Sequence, residues 1–195
     1  MALGWTARTA AALVLAVAAL SGCSGEQPAN DTLPEPTAEA TASAEALPPL
    51  GPPDFPVPAE AREKTPEGAL EFTRYYISLL EHIGNGTLNP QPLLDLSLEC
   101  SHCQQVADSL NRDREAGYRY GNLSVSFHGY GPGVISGEQA EVGFVYSQST
   151  LTVYDTTGET VQAESAPATG DLQSGAFLVW RDDLRSWLIT EMTIG

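Results

Sequence analysis

Apolar residues recur at helical spacing between residues 65 and 116. Thr65-Pro66-Glu67 is typical of a helix start, because a hydroxyl caps the helix and proline suits its first turn. The apolar face of the helix that follows consists of Ala69, Phe72, Tyr76, Leu79, Leu80 and Ile83. Gly84-Asn85-Gly86 ends this helix, a shorter helical piece opens at Asn89-Pro90, and a third helix is predicted over residues 101–116.

From residue 122 onward the apolar period changes from 3.6 to 2, which is typical of strands. The alternating apolar positions are Leu123, Val125 and Phe127, then Val142, Phe144 and Tyr146, then Leu151 and Val153. Residues 155–158 form a predicted hairpin turn, from which residues 160–166 return. Residues 176–180 are apolar on both faces and therefore predict a central strand, and a last strand follows over residues 187–194.

Helices followed by a run of antiparallel strands indicate an α+β domain. We expect the first and third helices to pack on the concave face of a curved antiparallel sheet spanning residues 122–194. The predicted shared core consists of Phe72, Tyr76, Leu79, Val106, Leu110, Phe144, Phe177 and Val179.

The N-terminus has the layout of a secretory signal peptide. Arg8 is its only charged residue, and an apolar run over residues 10–20 is too short to span a bilayer, which takes about 20 apolar residues. Leu20-Ser21-Gly22-Cys23 resembles the lipobox of bacterial lipoproteins, in which the cysteine thiol is acylated and becomes the first residue after cleavage. The resemblance implies a lipoprotein signal peptide over residues 1–22 and a lipid on Cys23. A conventional signal peptide with a chance cysteine is the alternative.

Residues 23–58 are predicted to form a disordered tether. They consist mostly of Ala, Pro, Glu, Thr and Ser, and residues 24–54 contain no Lys or Arg. Such a segment buries too little apolar surface to offset the entropy of ordering. Phe55 and Val57 are its first apolar pair and mark a place where it can dock on the domain, which is expected over residues 59–195.

Charge narrows the choice of partners. The chain carries nine Lys and Arg against 25 Asp and Glu, a formal net charge of −16. Phosphate groups repel such a protein, so nucleic acid is excluded as a partner. The protein is predicted to attach to the membrane through the lipid on Cys23. The predicted location is the extracytoplasmic face of the cell membrane.

The helices followed by a meander that ends in the hairpin of Trp180 and Trp187 resemble the cone-shaped α+β proteins of the nuclear-transport-factor-2-like superfamily. More narrowly, the lipobox and residues 55–58, 65–76 and 100–103 resemble an uncharacterised family of actinobacterial lipoproteins with a domain of unknown function. Superfamily members often place a short strand between the second and third helices, where this chain has only residues 93–98.

Cys100-Ser101-His102-Cys103 is the sharpest chemical motif of the domain. With Cys23 acylated, these are the two remaining thiols in an oxidising compartment, and their spacing at a helix start favours a disulfide between Cys100 and Cys103. A redox pair is the alternative, because a helix N-terminus lowers a thiol pKa, although no βαβ unit precedes Cys100. A zinc site would add His102 and His82.

A cone with an open mouth makes a natural pocket, in which acid–base chemistry would need suitably placed titratable residues. The candidates are Tyr75, Tyr76, Asp95, His128, Tyr146 and Tyr154. None lies in a specific motif, so no catalytic residue, metal site or cofactor is assigned. The predicted function is a non-catalytic module that binds a protein, an envelope polymer or a small ligand. A small-molecule enzyme using the cone pocket and a thiol–disulfide protein using Cys100 and Cys103 are the alternatives.

Replacing the proposed lipidation site tests the membrane anchor. Cys23→Ala is expected to leave the membrane fraction or to stay unprocessed. Two acyl chains hold a protein stably at a bilayer, and the variant lacks the thiol that would carry them. Cell fractionation and intact mass of the wild-type and variant proteins measure this. Wild-type protein that is mainly unacylated and freely secreted contradicts the prediction.

Overall fold

The structure is a computed structural model and describes residues 47–195. The predicted signal peptide, the lipidation site Cys23 and the tether up to residue 46 lie outside the described residues. Within residues 47–195, no helix is both long enough and apolar enough to cross a membrane.

The helices form where the sequence predicts them. A 3₁₀-helix, Ala59–Arg62, precedes α1 (Pro66–Gly84), α2 (Gln91–Asp95) and α3 (Ser101–Glu115). The Thr65 hydroxyl caps α1 by accepting a hydrogen bond of 3.0 Å from the backbone N–H of Gly68. The predicted starts of α1 and α3 are therefore confirmed.

The strands are β1 (Arg119–Gly121), β2 (Val125–Gly129), β3 (Val134–Ser136), β4 (Gln139–Gln148), β5 (Thr152–Tyr154), β6 (Leu172–Arg181) and β7 (Ser186–Ile194). The main sheet has the antiparallel order β2-β4-β6-β7, with β3 also paired to β4. β6 is a central strand, as predicted. β5 pairs with β1 in a separate two-stranded sheet, so the single sheet expected over residues 122–194 is divided. Residues 160–166 return through isolated bridges alone.

One short parallel contact makes the sheet mostly rather than wholly antiparallel. Ser97 bridges to Ile189 of β7, where the N–H of Leu98 donates to the Ile189 carbonyl at 2.8 Å and the N–H of Ile189 donates to the Leu96 carbonyl at 3.0 Å. The segment between α2 and α3 therefore adds to the sheet at the position where the superfamily resemblance implies a short strand.

The prediction that Phe177 and Val179 face the core is wrong. Phe177 is 46% exposed and Val179 is half-buried, whereas Leu178 is 1% exposed. Residues 176–180 are apolar on both faces, so the period-2 pattern does not show which face meets the helices. The pairing of Leu178 with Ile189 and of Phe177 with Glu191 leaves an unpaired residue in β7, a β-bulge.

The core lies between the helices and one face of the main sheet. Of the remaining predicted core residues, Val106 is half-buried against the core, and the following are buried: Phe72, Tyr76, Leu79, Leu110 and Phe144. The ring of Trp187 packs edge-on against that of Trp180, with centroids 5.2 Å apart, and its indole N–H donates to the Glu63 carbonyl at 2.8 Å. The closing hairpin is thus tied to the chain just before α1.

Residues 48–58, here called the docked segment, pack on the domain. The Phe55 ring stacks on the rings of Tyr75 and His82, and the Tyr75 hydroxyl donates to the Phe55 carbonyl at 2.8 Å. The Arg62 guanidinium donates to the Pro48 carbonyl and, across the domain, to that of Leu184. The docked segment therefore includes Phe55, which the sequence marks as part of the apolar pair that can dock.

A pair of neighbouring alanine substitutions tests which face of β6 meets the helices. Leu178→Ala is expected to lower the free energy of unfolding by about 2–5 kcal/mol, because it leaves a cavity in the core. Phe177→Ala serves as the matched control and is expected to cost about 1 kcal/mol or less, since its ring is half exposed. Urea unfolding measures both, and a larger loss for Phe177→Ala would reverse the assignment of the two faces.

Candidate functional site

A cavity of about 270 Å³ lies between the helices and the inner face of the main sheet. Its helical side comes from α1, α2 and α3, and its opposite side from β4, β6, β7 and the segment that precedes β6. The lining residues are Tyr76, Ile77, Leu80, Leu93, His102, Cys103, Val106, Tyr146, Gln148, Thr169, Leu172, Met192 and Ile194. Most of these side chains are aliphatic or thioether groups, so the cavity is largely apolar.

The polar groups of the sheet side gather where β4 ends. The Tyr146 hydroxyl donates to Gln148 Oε1 at 2.8 Å, and the backbone N–H of Gln148 donates to Thr169 Oγ1 at 2.8 Å. The backbone N–H of Thr169 donates in turn to the Gln148 carbonyl at 2.9 Å. Tyr146 is 5% exposed, Gln148 is half-buried and Thr169 is exposed, so this chain of groups runs from the interior of the cavity to its mouth.

Both tyrosines of the cavity are held in the protonated form. Burial, followed by the charge of Glu81, raises the pKa of Tyr146 to about 12. Burial also raises the pKa of Tyr76, whose hydroxyl donates to the Leu93 carbonyl at 3.2 Å. At neutral pH these phenols act as hydrogen-bond donors and do not accept protons.

The structure brings only two of the six candidate acid–base residues to the cavity, namely Tyr76 and Tyr146. Tyr75 instead holds the docked segment. The exposed Asp95 accepts a hydrogen bond from Gln91, and the exposed His128 lies 3.2 Å from the Ser126 hydroxyl. The remaining candidate, Tyr154, lies on β5 beneath the guanidinium group of Arg119.

Sequence reasoning missed a buried carboxylate. Asp113 is 6% exposed, and its Oδ2 accepts a hydrogen bond of 2.6 Å from the Tyr120 hydroxyl. Burial, together with this carboxylate, raises the pKa of Tyr120. The pair ties the end of α3 to β1 and does not line the cavity. It connects a helix with a three-residue strand that has no apolar period, so nothing in the sequence indicates it.

Sequence reasoning also did not place His102, Gln148 and Thr169 at the cavity. The sequence suggests His102 only as a possible zinc ligand, and it does not single out the other two. Gln148, the last residue of β4, and Thr169 are 21 residues apart in the chain and meet through hydrogen bonds that belong to no strand pair. No periodic pattern of apolar residues reports such a contact.

The two domain cysteines lie at the start of α3, beside the cavity. Their sulfur atoms are 2.03 Å apart, a disulfide-bonding distance, and the Cys100 sulfur also caps α3 by accepting a hydrogen bond from the Cys103 N–H at 3.2 Å. Cys100 is 5% exposed and Cys103 3% exposed, which restricts attack by another thiol. Within residues 47–195, no cluster of three or more His, Cys, Asp or Glu residues is placed to hold a metal ion.

The comparisons with known proteins support the fold alone. No protein-family model and no curated protein matches the chain. Among solved structures, the intermembrane space region of the chloroplast protein ARC6 matches with a TM-score of 0.52 and 12% identity over 68% of this chain and 97% of that one. At this identity the likeness shows a shared α+β fold alone.

Two further solved structures are more distant. A nuclear transport factor 2-like superfamily protein from Salmonella enterica serovar Typhimurium has a TM-score of 0.40 and 10% identity over 66% of this chain and 90% of that one. Aln2 from a Streptomyces species has a TM-score of 0.38 and 11% identity over the same shares. These likenesses are too weak to support a conclusion about this chain.

Thiol alkylation tests the pairing of the cysteines. In unreduced native protein we expect neither Cys100 nor Cys103 to be alkylated, because the short spacing favours a bond between them and the compartment predicted from the sequence is oxidising. Peptide mass spectrometry before and after reduction measures this, and the reduced, unfolded protein is the positive control. Alkylation of both thiols in native material contradicts the prediction and favours the redox or metal alternatives.

Proposed function

We propose that this protein is a lipid-anchored, non-catalytic binding module on the extracytoplasmic face of the cell membrane. Its cone-like domain, of the nuclear-transport-factor-2-like kind, holds a small and mostly apolar molecule in the cavity between the helices and the main sheet. The observation that carries the proposal is this cavity, whose lining is largely apolar.

The proposed location rests on the N-terminal sequence. Leu20-Ser21-Gly22-Cys23 supplies a nucleophilic sulfur just after an apolar run, with small neighbouring residues that leave it accessible to a membrane enzyme. The Pro- and Ala-rich residues that follow connect the lipid to the domain. This arrangement is the basis for proposing membership of the actinobacterial lipoprotein family that the sequence resembles.

Size and polarity support a small apolar ligand. The cavity volume of about 270 Å³ lies just below the range for pockets of drug-sized ligands, which starts at about 300 Å³. Removing apolar surface from water provides the driving force for occupation of such a site. A protein or an envelope polymer would need a larger open surface, so among the three classes of ligand predicted from the sequence the cavity favours the small molecule.

The titratable groups of the cavity support binding rather than proton transfer. General acid–base catalysis uses a group whose pKa lies near the working pH, whereas burial raises the pKa values of Tyr76 and Tyr146 far above neutrality. The Tyr146 hydroxyl is hydrogen-bonded to an amide, which does not take its proton. His102 also lines the cavity, from α3.

Filling the cavity with a large side chain tests the proposal. Val106 lines the cavity from α3, so Val106→Trp is expected to weaken binding of the neutral apolar fluorophore phenylnaphthylamine by at least about tenfold, since the indole occupies the space. Fluorescence titration of the purified domain measures the affinity. The matched control is Gln105→Trp, which places the same ring on the exposed face of α3 and is expected to bind the fluorophore as the wild type does.

Two outcomes contradict the proposed function. One is that folded wild-type protein, checked by circular dichroism, does not bind the fluorophore. The other is that Val106→Trp and Gln105→Trp bind it as well as the wild type does, which would place the fluorophore outside the cavity.

A further inference from the structure

We infer that the ligand of the cavity carries a neutral hydrogen-bond acceptor, an ester or ketone carbonyl, which binds to Gln148 and Thr169 at the mouth while its apolar part fills the interior. This inference rests on the proposed function and adds the chemical class of the ligand. It follows from which polar hydrogens and lone pairs at the mouth already have partners.

Gln148 presents a free donor. Its Oε1 is occupied by the hydrogen bond from the Tyr146 hydroxyl, which leaves the amide Nε2 with two hydrogens. Within residues 47–195, no side chain or backbone acceptor is hydrogen-bonded to this nitrogen, although the residue is half-buried and lines the cavity. Among the described residues no buried side-chain nitrogen or oxygen lacks a partner, so this nitrogen is accessible from the solvent side and can donate to an acceptor oxygen of a ligand.

Thr169 presents a second free donor. Its Oγ1 accepts a hydrogen bond from the Gln148 N–H at 2.8 Å, and among the described residues its own hydroxyl hydrogen has no acceptor. The reciprocal backbone bond, from the Thr169 N–H to the Gln148 carbonyl, fixes the two residues side by side. Both free donors therefore lie at the same end of the cavity, where one carbonyl oxygen with two lone pairs can accept from them.

The remaining polar group at this end, the Tyr146 hydroxyl, does not change the excess of free hydrogen-bond donors over free acceptors. The Tyr146 hydroxyl already donates its one hydrogen bond to Gln148 Oε1. Because Tyr146 is only 5% exposed, its oxygen is poorly accessible to a donor of the ligand. A ligand that brought its own donors, such as an ammonium group, would face the hydrogens of Gln148 and Thr169 and leave them unpaired. Unpaired polar groups at a partly buried site weaken binding.

Charge favours a neutral acceptor over a carboxylate. Glu81 is close enough for its charge to act on the Tyr146 hydroxyl, and the chain as a whole has a formal charge of −16. Both repel an anion that approaches the mouth. His102, on the α3 side of the cavity, is the one lining residue that would attract a carboxylate when protonated, so a carboxylate probe belongs in the test.

The orientation of the ligand follows from the exposure of the lining residues. Thr169 is exposed at the mouth, whereas Leu93 is 1% exposed and Met192 is 7% exposed. The carbonyl thus lies near solvent and the apolar part points toward α2 and β7. A ligand turned the other way would place its carbonyl beside Leu93 and Met192, whose side chains have no hydrogen-bond donor.

Four probes with equal numbers of heavy atoms test the inference by displacement of phenylnaphthylamine. They are methyl benzoate, which is a neutral ester, butylbenzene, phenylacetate and phenylpropylamine. The decisive quantity is the affinity ratio of methyl benzoate to butylbenzene. In Gln148→Leu this ratio is expected to fall about tenfold, which corresponds to the loss of one hydrogen bond, while butylbenzene still binds. Gln173→Leu, at an exposed glutamine of β6, is the matched control and is expected to leave the ratio unchanged.

Thr169→Val provides an independent variant, because Gln148→Leu also removes the acceptor of the Tyr146 hydroxyl and so affects folding. It is expected to lower the same ratio in the same direction. An unchanged ratio in Thr169→Val and in folded Gln148→Leu overturns the inference, as does tighter binding of phenylacetate or phenylpropylamine than of methyl benzoate to the wild type. These results leave the proposed function standing if Val106→Trp weakens binding of the fluorophore. Failure of all four probes to displace a fluorophore whose binding is weakened by Val106→Trp overturns the inference alone.

Discussion

The packing of α1 against the inner face of the main sheet is the interaction on which the rest of the domain depends. Phe72 and Leu79 of α1 are fully buried in the same core as Phe144 of β4 and Leu178 of β6. Each large side chain buried in this way contributes about 1.5–3 kcal/mol. The 3₁₀-helix and the β6–β7 hairpin are positioned by this same core, because Trp187 joins it and its indole N–H is bonded to the Glu63 carbonyl.

The cavity is a consequence of how far this packing extends. One end of α1 meets the sheet directly, whereas Tyr76, Ile77 and Leu80 face a space bounded on its other sides by α3 and the ends of β4, β6 and β7. The paired sulfurs of Cys100 and Cys103 hold the first turn of α3, which forms part of that boundary. The stability of the core and the shape of the candidate site are therefore parts of one arrangement.

The docked segment connects the domain to the rest of the chain at a defined place. Phe55 stacks on the rings of Tyr75 and His82, and the Asp54 Oδ2 atom lies 3.2 Å from the His82 Nε2 atom. This polar contact is largely exposed and adds little by itself, since even exposed ion pairs are worth at most about 1 kcal/mol. Aromatic stacking and the three hydrogen bonds of Arg62 to backbone carbonyls hold this end of the domain more firmly.

The sequence by itself determined the helices, the class of the fold, the central position of β6 and the cysteine pair at the start of α3. Caps, turn residues and apolar periods are local properties of the chain, so they can be recognised in the sequence without the three-dimensional structure. Tertiary structure alone decided which face of β6 is buried, because residues 176–180 are apolar on both sides. It also decided the candidate site, since Gln148 and Thr169 are 21 residues apart in the chain and are brought together by hydrogen bonds outside the strand pairing, next to the apolar cavity.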